Sequence, residues 1–265
     1  MKIAALQMSA TANPTTNPDR IIAAMARAKE QQADLLVAPE LAMTGYGRGE
    51  ELIKLAEPAD GPTVQKLTRA AQDIGISLVV GFPEREGDTL YISAMIIDGA
   101  GGATQIYRKA FLYGSYEKGI FTANGPSCFV VDLCGLKAGF LICYDVEFPE
   151  NVRRLAKAGA DIVIVPTALP HGEEGRHIAQ KVIPVRAFEN QVHVVYANHA
   201  DKDLMFEYQG LSSIAAPNGK TLAAAPESGE ALLFAEITPD VYLPCRERNP
   251  YISDLELAER NQKAE

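Results

Sequence analysis

The stretch LKAGFLICYDVEFPENVRRLAKAGADIVIVP, residues 136–166, decides the fold. LKAGFLI (136–142) reads as an apolar strand, Pro149 opens a helix that runs to about Ala158, and DIVIVP (161–166) reads as a second apolar strand. Strands of this kind, apolar on both faces and alternating with helices, belong to sheets covered by helices. At the end of the first strand stands Cys143, followed by Tyr144, Asp145, Glu147 and Glu150. A thiol placed there is either a buried filler or a nucleophile whose pKa backbone N–H groups and the helix that follows can lower.

Working outward, the same alternation recurs. KIAALQM (2–8) is a strand, and Asn17-Pro18 opens a helix with Ile21, Ile22, Met25 and Ala28 on one face. DLLVAPE (34–40) is a strand ended by Pro39, Gly61-Pro62 opens a helix to about Ile74, and ISLVVGF (76–82) is the next strand. This βαβαβ order favours a mostly parallel sheet. The middle changes character: TLYISAMIID (89–98) and ATQIYRK (103–109) join through GAGG, and SCFVVDL (127–133) turns into LKAGFLI near Gly135. Both read as strand pairs, so the sheets are mixed. A helix lies within 175–190 before the strand VHVVYAN (192–198), GLSSIAAPNGKTLAAA (210–225) is a hairpin across Asn218-Gly219, and ALLFAEI (231–237) is a further strand. Many apolar strands with few amphipathic helices predict an α-β-β-α sandwich of two mixed sheets flanked by helices.

The 265 residues, 47% hydrophobic and without a linker, low-complexity tract or repeat, are expected to form a single domain, 1–265. A formal charge of -9 argues against a nucleic-acid partner. The N-terminus has no basic segment leading into a long apolar core and no run reaches the length that spans a bilayer, so a cytoplasmic protein with no membrane partner is expected. The four cysteines, Cys128, Cys134, Cys143 and Cys245, are too few and irregular for a disulfide framework and include no CxxC pair. Reduced thiols are expected, with Cys128 and Cys134 as buried or half-buried side chains flanking a strand and Cys245 in a polar tail.

A nucleophilic cysteine needs a base. The histidines His171, His177, His193 and His199 fall in no evident motif. Two charges at strand ends offer another solution: Glu40 after DLLVAP and Lys109 after ATQIYR, which can meet Cys143 if their strands are neighbours.

PELAMTGY (39–46), IYRKAFLYG (106–114) and LICYDVEFPE (141–150) resemble, in that order, the three motifs of the nitrilase superfamily of carbon-nitrogen hydrolases. The likeness extends from KIAALQM through VPTALP and VRAFENQVHVVYANHA to GLSSIAAPNGK, nearly the whole chain. Tyr-Asp after the cysteine looks most like the amidase branch. The resemblance implies Glu40 as general base, Cys143 as nucleophile, Lys109 and the Tyr144 N–H at the oxyanion, and Glu117, eight residues past Lys109, as a second glutamate that orients substrate. It also implies a small-molecule amide substrate, a thioester intermediate, no metal or organic cofactor, and a homodimer packed through the helices at 149–158 and 178–190. An N-carbamoyl hydrolase would use the same triad; a catalytically inactive binding or assembly protein is the reading from another class. In PTALPHGEEGRH (166–177), Glu173 and Glu174 are placed to meet an amine-bearing substrate and His171 and Arg176 a carboxylate. The surplus of carboxylates favours a cationic substrate.

Overall fold

The computed structural model describes residues 1–11 and 13–262. Its strands are β1 (Lys2–Ser9), β2 (Leu35–Val37), β3 (Ser77–Glu86), β4 (Thr89–Ile97), β5 (Gln105–Arg108), β6 (Val130–Leu133), β7 (Leu136–Phe140), β8 (Ile162–Thr167), β9 (His193–Lys202), β10 (Glu207–Gln209), β11 (Ser213–Ala215), β12 (Thr221–Ala224) and β13 (Ala231–Glu236). Its helices are α1 (Asn17–Glu30), α2 (Glu51–Leu55), α3 (Pro62–Ile74), α4 (Gly114–Lys118), α5 (Pro149–Lys157), α6 (Glu173–His177), α7 (Ile183–Asn190), α8 (Leu243–Arg248) and α9 (Tyr251–Gln262).

The strands run in the order β5-β4-β3-β2-β1-β9-β8-β7-β6. β1, β2 and β3 are parallel, as are β7, β8 and β9, while β4, β5 and β6 add antiparallel edges and β13 lies antiparallel on β1. The two halves face one another as the expected sandwich, and they are also sewn together at one edge. Where β13 ends, the tip of β1 passes to β9, pairing Met8 with His199 and Ser9 with Ala200.

Period-two alternation sorts the apolar residues into layers. Ile3 and Ala5 of β1 share the central core with Leu35, Val79, Ile92, Phe140, Ile164 and Val195. The intervening Ala4, Leu6 and Met8 pack outward with Ile21, Met25, Val64 and Leu67 of α1 and α3. On the other side α5 buries Val152 and Leu155, and α7 buries Ile183 and Ala187, against the second half. Pro149 and Pro62 stand at the starts of α5 and α3, where the lost N–H has no helical partner to forfeit.

The structure departs from the sequence reading at four places. The regular strand within 34–40 is only β2, because the chain peels off at Ala38 to form the turn carrying Glu40. The helix placed within 175–190 starts at Glu173 and widens into a π turn at Ile178–Val182 before α7. Cys128 and Cys134 are exposed rather than buried, lying around a short hairpin at the open edge of the second half. The polar tail is helical, as α8 and α9, and neither buries a residue fully, which is why no amphipathic stripe announces them. No helix among the described residues is long and apolar enough to cross a membrane.

Candidate active site

Glu40 leaves the first sheet on a turn held by Gly81 N–H to Pro39 O (3.1 Å) and Met43 N–H to Gly81 O (3.2 Å). Gly81 is required there: a Cβ would lie 2.4 Å from Leu41 N and 2.5 Å from Pro39 O. Leu41 takes a left-handed φ of 49° to close the turn. Lys109 follows β5 directly, its N–H bonded to Ile92 O (2.8 Å), and Glu117 lies on α4. Cys143 comes from the opposite half, just past β7, at φ 47°, a strained elbow for a non-glycine residue.

These side chains meet between the two halves. Lys109 Nζ donates to Glu40 Oε1 and to Glu117 Oε1, both at 2.7 Å, and all three side chains are essentially excluded from solvent. Tyr46 OH (2.8 Å) and Tyr113 N–H (2.7 Å) also donate to Glu117. The Cys143 thiol lies beside the Glu40 carboxyl, whose Oε2 makes no hydrogen bond among the described residues. Oε2 is thus the oxygen left to take a proton.

Burial pushes the Glu40 carboxyl up to about 7, since the one ammonium that opposes the shift is shared with a second carboxylate, Glu117. Burial also disfavours the Lys109 charge, yet Glu40 and Glu117 outweigh it and hold the ammonium well above its ordinary value. For Cys143, burial and then Glu40 hold the thiol well above its ordinary value, with Lys109 and the Ala168 backbone acting the other way. The resting site is therefore a neutral thiol beside a carboxyl that changes charge near neutral pH and a permanent cation.

Asp145 organises this cluster, and the sequence reading gave it no role. Its Oδ2 accepts Ile142 N–H (3.0 Å), Ala110 N–H (3.3 Å) and Tyr107 OH (2.9 Å), and its Oδ1 accepts Phe111 N–H (2.8 Å). One buried carboxylate thus bolts the backbone before Cys143 to the backbone after Lys109. The Asp145 carbonyl is held in turn by Asn151 Nδ2 (2.7 Å). Arg186 extends the bracing, donating to Val146 O (2.9 Å) and Glu147 O (2.6 Å). Of the histidines, His199 serves the site from behind, its Nε2–H donating to Glu40 O at 2.8 Å, while His193 is buried against Tyr242.

A cavity of about 410 Å³ opens on Cys143, lined by Tyr113, Tyr144, Glu147, Leu169, Pro170, His171, Glu174, Gly175 and Ile178. Tyr144 packs edge-on to Tyr113 and Phe148. Of the paired glutamates only Glu174 lines the cavity; Glu173 does not, and Arg176 turns away to Glu227 (2.8 Å). Glu147 lines it unannounced. Among the described residues, no group of three or more His, Cys, Asp or Glu is arranged to hold a metal ion.

An α-β-β-α scaffold that buries a thiol beside a carboxyl and an ammonium, at the end of a small cavity, defines a class: a hydrolase built around a cysteine. Residues 2–247 match the family model for carbon-nitrogen hydrolases, and the chain belongs to that family, within the nitrilase superfamily. It is 42% identical over 226 residues to a hydrolase from the pqqF 5′ region of Pseudomonas protegens, covering 84% of this chain and 78% of that one. It is 36% identical over 262 residues to a nitrilase of Pyrococcus abyssi, covering 96% and 94%. The crystal structure of an amidase from Nesterenkonia sp. superposes with a TM-score of 0.85 at 34% identity, covering 98% and 95%. A mutant of that amidase carries the acetamide moiety of fluoroacetamide covalently at its active-site cysteine. The protein is an enzyme of the class that acts on non-peptide C–N bonds.

Proposed function

We propose that the chain is an amidase, converting a small carboxamide to the carboxylic acid and ammonia through a Cys143 thioester. Glu40 takes the thiol proton as sulfur attacks the carboxamide carbon. Lys109 Nζ and the Tyr144 N–H stabilise the oxyanion, where a donor is worth about 3 kcal/mol. Glu40 then passes its proton to departing ammonia and activates the water that cleaves the thioester. Glu117 positions Lys109, drawing it with Tyr46 into one geometry.

The observation that carries this reading is the buried Cys143 thiol next to a Glu40 carboxyl poised at about 7, at the end of a cavity sized for a small molecule. The test is ammonia release from aliphatic, amino-acid, ω-amino, ω-carboxy and N-carbamoyl compounds, with matching nitriles, by wild type and Cys143→Ala. Amide turnover lost in the variant supports the reading. Nitrile turnover outpacing the matching amide would refute it, and carbon dioxide released with ammonia would mark an N-carbamoyl hydrolase.

We read residues 1–265 as one carbon-nitrogen hydrolase domain that pairs as a homodimer through α5 and α7, in the cytoplasm. Val185 and Phe188, 48% and 38% exposed on α7, support the pairing, and four free cysteines suit a reducing compartment. Light scattering tests the mass.

A further inference from the structure

The cavity wall holds two carboxylates without a use in the chemistry described so far, Glu147 and Glu174. Glu147 lies four residues past the nucleophile, half-buried, and among the described residues its carboxylate has no hydrogen-bond or ion-pair partner. The cations that could neutralise it are engaged elsewhere. Lys109 is held between Glu40 and Glu117; Arg186 gives its donors to two backbone carbonyls and Glu189; Arg176 pairs with Glu227. Among the described residues no Lys or Arg lines the cavity, whose other polar residues are Tyr113, Tyr144, His171 and Glu174. Burial raises the Glu147 pKa, with Lys109 and Arg186 opposing, so the site holds this charge at a cost that a bound cation would relieve.

Resting on the amidase reading, we propose that Glu147 is a specificity-determining residue that pairs with an ammonium on the substrate, so that the preferred substrate is an ω-amino carboxamide. The short 3-10 turn from Cys143 to Glu147 rises about 8 Å along its axis at roughly 2 Å per residue, and both residues line the one cavity, so a substrate reaching from one to the other needs a methylene chain between its carboxamide and its ammonium. Glu174, on the facing α6, adds negative potential across the cavity.

The test compares δ-aminovaleramide with hexanamide, of equal length, and with adipic acid monoamide. Wild type should favour the amine over hexanamide by at least about tenfold in kcat/KM, the size of one modest charge contact. Glu147→Gln should collapse that ratio, Glu147→Asp should keep part of it, and Glu147→Lys should turn the preference toward the monoamide acid. A second readout needs no turnover: n-butylammonium should slow alkylation of Cys143 by iodoacetamide in wild type, with a half-effect concentration at least about tenfold higher in Glu147→Gln. An amine-to-hexanamide ratio that Glu147→Gln leaves unchanged, or equal protection of both proteins by n-butylammonium, overturns the proposal. If none of the amides is hydrolysed, the amidase reading fails separately and the alkylation result alone decides for or against Glu147.

Discussion

Replacing Asp145 by Asn removes a charge without changing shape, and its effect can be worked from four hydrogen bonds. Every partner is a donor: three backbone N–H groups and Tyr107 OH. In its better orientation Asn puts its oxygen at the Oδ2 position and keeps three of the bonds, but its NH₂ then faces the Phe111 N–H. Exchanging a charged for a neutral acceptor costs roughly 1 kcal/mol per bond, and a stranded donor about 1–3 kcal/mol more. Relief of a buried charge, whose burial raises the Asp145 pKa, offsets part of this. A net loss of about 3 kcal/mol or more corresponds to a fall in Tm of roughly 6–12 °C for a chain of this size. Because the lost bonds tie Cys143 to Lys109, kcat should fall about a hundredfold, with KM little changed. Calorimetry and steady-state kinetics on the one variant check both. A Tm within 2 °C of wild type together with kcat within about threefold would refute the reasoning, since either the bonds or the coupling would then be worth nothing.

The acid limb of kcat/KM should follow Glu40: activity rises about tenfold per pH unit up to an apparent pKa near 7, because protonated Glu40 cannot accept the thiol proton. A flat profile from pH 5 to 8 would exclude Glu40 as the base. Lys109→Met strands two adjoining buried carboxylates and should cost about 3–5 kcal/mol of stability as well as activity, whereas a loss of activity without destabilisation would mean the carboxylates find another partner. His199, pushed down to about 4 by burial, is neutral when folded and protonates near 6.5 when unfolded. Its stabilising contribution is complete above about 6.5 and is lost as pH falls toward 4, by about 3 kcal/mol. His193, also at about 4, acts in the same direction. Denaturant midpoints across that range, compared with His199→Gln, check the window; identical slopes for the two proteins would count against it.

The charges of the site were legible because each ends an apolar run, where a bare Glu or Lys is conspicuous. What the pattern did not carry was how they meet. β2 and β5 are separated by β3 and β4, and Cys143 belongs to the opposing half, so the sandwich rather than strand adjacency brings Glu40, Lys109 and Cys143 together. Asp145 stayed hidden because it sits among other acids in the sequence and earns its role through backbone N–H groups 34 and 35 residues away. Glu173 and Glu174 are adjacent on a short helix, where successive side chains diverge, so only one of them reaches the cavity. Glu147 passed as one more charge beside the helix start until the cavity gave it a direction.

The central claim is that carbon–nitrogen cleavage passes through a covalent bond to Cys143, with Glu40 needed both to form it and to resolve it. The direct measurement is intact-protein and peptide mass spectrometry of wild type, Glu40→Gln and Cys143→Ala, acid-quenched during turnover of the best amide. The account predicts an acyl adduct in the quenched wild type, confined to the peptide bearing Cys143, released by hydroxylamine, and missing both from Cys143→Ala, which lacks the nucleophile, and from Glu40→Gln, which lacks the base that starts the attack. An adduct on another residue, or amide turnover by purified Cys143→Ala at the wild-type rate, would contradict it.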